Sequence, residues 1–67
     1  MSDFLKGVAI KVRAARDEKG LSVRELALLC NMDYSNISRM EQGKRDIRLS
    51  TLKTIADVLN KEVKDFL

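Results

Sequence analysis

Apolar residues in this chain recur at steps of three and four rather than two, which is the signature of helices packed by one face. Phe4, Val8, Val12 and Ala15 follow steps of four, four and three and predict a helix running to about Lys19. Gly20 then supplies the left-handed residue that ends a helix, and Leu21 beyond it can close the hydrophobic contact. Ser22 and Glu25 have capping-box spacing, so a second helix starts at once, with Val23, Leu26, Ala27 and Cys30 on its inner face. Asn31, the next-best residue after glycine for a left-handed turn, stops it. Asp33 is a suitable N-cap for a third helix to about Gln42, with Ile37 and Met40 inward and Gly43 as its stop. A basic loop, Lys44-Arg45-Asp46-Ile47-Arg48, leads into a fourth helix whose inner face is Leu49, Leu52, Ile55, Ala56 and Leu59. Asn60 ends it, and Val63, Phe66 and Leu67 predict a short fifth helix. The expected architecture is an all-α, compact five-helix domain spanning residues 1–67, with no repeat and no linker.

The connection between helices two and three is the informative one. Only Asn31-Met32-Asp33 separate Cys30 from Tyr34, too few residues for two helices to lie comfortably antiparallel. So short a link favours the wide crossing angle of a helix-turn-helix, with Met32 buried between the helices and the second helix free to enter a DNA major groove. With Ile37 set inward and 100° per residue, Ser35 and Arg39 fall near the opposite pole. Asn36 and Ser38 flank them, Gln42 follows one turn later, and Tyr34 stands at the helix start. Arginine can pair with guanine and asparagine with adenine, and no acidic residue interrupts this face.

Composition narrows the chemistry. With 67 residues, 45% of them hydrophobic, the chain has material for one small core. It contains no histidine and one cysteine, so an intramolecular disulfide, a His/Cys metal site and a histidine-activated nucleophile are all excluded. No cofactor is expected, nor any catalytic residue. The longest apolar run, Leu26-Ala27-Leu28-Leu29-Cys30, is far short of a membrane span, and a reduced, cytoplasmic setting is expected. Residues 1–48 hold ten Lys+Arg against seven Asp+Glu, while residues 49–67 hold three of each. The whole excess of +3 therefore lies with the helix-turn-helix and its following loop.

At this point the sequence resembles the Cro/repressor-type (XRE) helix-turn-helix family, whose fold is of the lambda-repressor-like type. The resemblance rests on an ordered set: Val12-Arg13-Ala14-Ala15-Arg16, Lys19-Gly20-Leu21-Ser22, Glu25-Leu26-Ala27, Ile37-Ser38-Arg39-Met40-Glu41-Gln42-Gly43-Lys44-Arg45, and Leu52-Lys53-Thr54-Ile55-Ala56-Asp57-Val58-Leu59. It implies that Tyr34, Ser35, Asn36 and Arg39 read bases, and that Ser22, Arg16, Lys44 and Arg45 contact phosphates. It also implies an ion pair between Arg16 and Glu41 that locks the third helix to the first. Relatives of this length commonly pair through the C-terminal helix, which makes Val63, Phe66 and Leu67 either dimer contacts or the last piece of the monomer core. The chain departs from the family pattern at Val23 (often glutamine), Asn31 (usually glycine), Ile47 (often proline) and Leu28 (usually charged).

The expected function is a sequence-specific binder of double-stranded DNA, acting as a homodimeric transcriptional regulator. No small-molecule effector and no membrane are expected as partners. The alternative is a protein-interaction module of the same fold, for which exposed Ile10 and Leu28 would be the contact surface if they lay near each other.

Overall fold

The computed structural model describes residues 3–67. Four α-helices, α1 (Asp3–Glu18), α2 (Val23–Cys30), α3 (Tyr34–Glu41) and α4 (Leu49–Val58), are followed by one 3₁₀ turn, Val63–Phe66. The expected fifth helix is therefore this single turn. Its first backbone N–H groups are served by a reciprocal cap between Glu62 and Asp65, and the described chain ends one residue later, at Leu67. Among the described residues there is no strand, and no helix is long and apolar enough to cross a membrane.

All four helices stop in the same way. Gly20, Asn31, Gly43 and Asn60 take φ of 69°, 55°, 71° and 57°. Each left-handed residue turns the next N–H back onto a carbonyl five residues earlier: Leu21 to Arg16, Met32 to Ala27, Lys44 to Arg39 and Lys61 to Ala56. This closure satisfies carbonyls that a helix end otherwise leaves bare, and it reverses the chain within two or three residues. At Gly43 a Cβ would meet only ordinary contact, 3.4 Å from Cγ of Lys6 on α1, so it is the left-handed backbone that favours glycine there.

The core is the meeting of one stripe from each helix. Val12, Leu26, Ile37, Ile55, Leu59 and Phe66 are its largest fully buried side chains. Helix α2 packs on both α3 and α4, while α1 packs on α3 and on the 3₁₀ turn. Phe66 is thus part of the core, 1% exposed. Cys30 is buried in the same cluster, and burial pushes its thiol up, away from the reactive thiolate.

Two expected core residues point outward. Phe4 is 63% and Leu49 69% exposed, although each lies on the periodic stripe of its helix. Both occupy first turns, where the stripe runs past the element that would cover it. They border an open apolar groove with Leu5, Val8, Ile47, Leu52 and Leu67. Val23 and Met32 are only half-buried against the core edge. Asp33 precedes α3 but its side chain makes no cap bond; its carboxylate instead accepts from the Ser35 hydroxyl.

These placements separate two large-to-small truncations. Phe66→Ala is expected to lower unfolding free energy by about 3–5 kcal/mol, and Leu49→Ala by less than about 0.5 kcal/mol. Urea denaturation followed by circular dichroism measures both, and equal losses would contradict the burial assigned to Phe66.

Candidate nucleic-acid interface

The site begins with how α3 is held. Arg16, on the last turn of α1, is 8% exposed and reaches Glu41 at the end of α3. Its Nε donates to Glu41 Oε2 at 2.7 Å and Nη2 to Oε1 at 2.9 Å, a planar fork on a carboxylate. Nη1 donates to the backbone carbonyl of Leu21 at 2.7 Å, in the turn that leads into α2. One guanidinium thus ties the end of α1, the start of α2 and the end of α3. The hydrogen bonding it donates to Glu41 raises the Arg16 pKa further, burial opposing it. Among the described residues no buried side-chain nitrogen or oxygen lacks a partner. With Nε, Nη1 and Nη2 all bonded inside the domain, Arg16 is a structural tie between three elements.

The start of α2 is fixed locally. Ser22 Oγ accepts from the Glu25 N–H at 3.0 Å, and the Ser22 N–H donates to Glu25 Oε1 at 2.8 Å. Hydrogen bonding to the carboxylate from Ser22, its backbone N–H first and its side chain second, holds the Glu25 carboxyl below its ordinary value. Ser22 itself is exposed at a helix N-terminus, where N–H groups point outward and the dipole favours an anion.

Helix α3 buries Ile37 and Met40 and turns its other side to solvent. Tyr34, Ser35, Ser38, Arg39 and Gln42 line one open concave face together with Lys44 and Arg45 of the following loop. Of the expected base readers, Tyr34 and Arg39 are exposed, and Ser35 and Asn36 are half-buried. Arg39 has no ion pair or side-chain hydrogen bond among the described residues, so its donors are free. Gln42 Nε2 donates to Ser38 Oγ at 3.0 Å, which organises the far end of the face.

Asn36 and Arg45 engage each other: a guanidinium N–H of Arg45 donates to Asn36 Oδ1. This bond ties the loop to the flank of the helix. Periodicity placed Asn36 beside the face and the family resemblance placed Arg45 in the following loop, but neither could show that they engage each other.

Periodicity also missed Arg24. Its guanidinium carbon lies 4.6 Å from the centroid of the Tyr34 ring, across the α2–α3 turn. The available signal was electrostatic: a basic residue in the first turn of a helix, where the dipole favours acidic ones. Ile10 and Leu28 are 68% and 80% exposed, on α1 and α2 respectively.

Two short helices joined by a three-residue turn, the second locked by its far end and presenting a cationic and polar face, define a helix-turn-helix domain. The chain belongs to the helix-turn-helix family HTH_3, whose sequence profile matches residues 12–66. It is similar to the HTH-type transcriptional repressor RghR of Bacillus subtilis (strain 168), 38% identical over 50 residues, which are 73% of this chain and 37% of that protein. The chain thus spans well under half the length of that repressor. Among solved structures it is similar to the restriction-modification controller protein C.AhdI from Aeromonas hydrophila. That match has a TM-score of 0.90 at 30% identity and covers 94% of this chain and 96% of that one. It is also similar to the controller protein C.Esp1396I, solved as a tetramer in complex with its natural 35 base-pair operator. There the TM-score is 0.90 at 29% identity, over 98% of this chain and 87% of that one.

Glu41→Ala would leave the Arg16 charge buried without its fork partner and is expected to destabilise by about 3–5 kcal/mol. Thermal melting by circular dichroism checks this, and an unchanged midpoint would reduce the pair to a surface contact. The capping box makes a separate pH prediction. Because the folded-state pKa of Glu25 is lowered, its contribution is present above about pH 4.3 and is lost as pH falls through the depressed value. Glu25→Gln is therefore expected to be less stable than the parent at neutral pH, with the difference closing on acidification. A difference that stays constant with pH would exclude the capping carboxylate as its source.

Proposed function

We propose that this chain is a sequence-specific, double-stranded DNA-binding transcriptional regulator that acts as a homodimer. The observation that carries the reading is the outward face of α3, polar and cationic, without a carboxylate, and continuous with Lys44 and Arg45. Helix α3 enters the major groove, where Tyr34, Ser35, Asn36 and Arg39 meet base edges. Lys44 and Arg45 grip phosphates on one side, and Ser22 with the amino end of α2 binds a phosphate on the other. The similar proteins support this: one is a transcriptional repressor, and another was solved on its operator.

One module this small covers few base pairs, so useful specificity requires two copies on half-sites about 34 Å apart. Of the residues expected at the dimer contact, Phe66 lies in the core and Val63 is half-buried, which leaves Leu67 as the exposed contributor. Residues 1–67 act as one domain, not an enzyme, associated with DNA in the cytoplasm. Exposed Leu28 and Leu29, 80% and 60% accessible on α2, favour a second reading as a protein-interaction module of the same fold.

Selection from a random-sequence duplex pool at two salt concentrations tests the proposal. It should recover a two-fold symmetric motif, with a log–log salt slope near about −3.6 per subunit for roughly four neutralised phosphates. Arg39→Glu should abolish that binding while leaving the fold and any apolar partner surface intact. Unchanged affinity in Arg39→Glu would remove α3 as the recognition helix, and the absence of any enriched motif in the parent would favour the interaction module.

A further inference from the structure

The stacked pair Arg24–Tyr34 stands outside the set of contacts that the family pattern supplies. Arg24 is exposed in the first turn of α2, two residues after the capping serine, where the helix dipole disfavours a cation. The adjacent carboxylate does not compensate it, because Glu25 is committed to the Ser22 N–H. Arg24 makes no ion pair or side-chain hydrogen bond among the described residues. Its one defined contact is the ring of Tyr34, the first residue of α3.

That contact determines which part of the side chain remains available. A guanidinium lying over an aromatic face uses its π surface and leaves its edge, with parallel N–H donors, free. The same edge recognises guanine, one N–H donating to O6 and a second to N7. The stack also draws the charge away from the amino end of α2, where a phosphate would sit, to the start of the helix whose side chains enter the groove. A flexible arginine must be ordered on binding; one whose guanidinium carbon already rests 4.6 Å over a ring centroid has less freedom to lose.

We propose that Arg24, oriented by Tyr34, reads a guanine in the major groove at one position of each half-site. This rests on the DNA-binding reading above and adds to it a base-specific residue from α2. The partner is a guanine edge, a choice that separates it from the sequence-blind phosphate contacts of Lys44 and Arg45.

The test is the same duplex selection, run with the parent protein and with Arg24→Ala, Arg24→Lys and Tyr34→Leu, each first checked for an unchanged melting midpoint. In the parent, one position per half-site should prefer G·C, and Arg24→Ala should lower affinity for the preferred duplex about ten- to hundredfold by erasing that single preference. Arg24→Lys should retain the salt slope without restoring the preference, because an ammonium lacks the planar fork. Tyr34→Leu should weaken the preference at the same position, since the orienting ring is gone. If Arg24→Ala instead weakens all duplexes equally and makes the salt slope shallower by about 0.9, the residue is a phosphate contact and the proposal is overturned. Identical selections by the parent and Arg24→Ala would overturn it as well, leaving a surface stack. A parent that enriches no motif would refute the DNA-binding reading itself, an outcome distinct from either result with Arg24→Ala.

Discussion

Everything on the candidate interface depends on one buried ion pair. An eight-residue helix such as α3 is too short to be stable alone in water. Ile37 and Met40 hold it by one face, but a helix held only by an apolar stripe can still slide and roll. The fork from Arg16 onto Glu41 removes that freedom at the far end, because a planar two-bond contact tolerates little rotation. The third bond, onto the Leu21 carbonyl, carries the constraint to the start of α2. A buried pair of this kind contributes little net stability compared with an apolar replacement; its contribution is geometric. The direction in which α3 projects is fixed by a charge-assisted contact on the side away from its outward face.

This arrangement separates the two tasks of a small domain. Apolar stripes from four helices and Phe66 supply the folding free energy. The outward face of α3 contributes almost nothing to the core, so Tyr34, Ser35 and Arg39 can differ without unfolding the domain. The bonds on that face are local and exchangeable: Gln42 to Ser38, Arg45 to Asn36, Ser35 to Asp33. They order long side chains before any ligand arrives, and a ligand can take over the same donors and acceptors.

Much of this was legible in the sequence, and the failures share a cause. The Ser22–Glu25 box, the four left-handed stops and the inward Ile37 follow from local rules that need no knowledge of neighbours. Phe4 and Leu49 obey helical periodicity and are nonetheless exposed, because periodicity assigns a face but not how far the covering element extends. Asp33 has the right chemistry for a cap and spends it on Ser35, a competition between two partners within hydrogen-bond reach. The Arg24–Tyr34 stack and the Arg45–Asn36 bond join residues ten and nine apart across turns, and they depend on turn geometry that no spacing rule encodes. The Arg16–Glu41 pair was visible only through family resemblance, since a separation of 25 residues has no local signature.

The left-handed residue between α2 and α3 has one more consequence. Asn31 occupies at φ 55° a position that glycine would fill without strain. A side chain there leaves fewer backbone states open to the turn, both in the unfolded chain and in excursions of the folded one. The bend between scaffold and probe thus behaves as a bracket instead of a joint. New specificities could be installed on α3 by exchanging surface side chains alone, with the angle of presentation inherited unchanged.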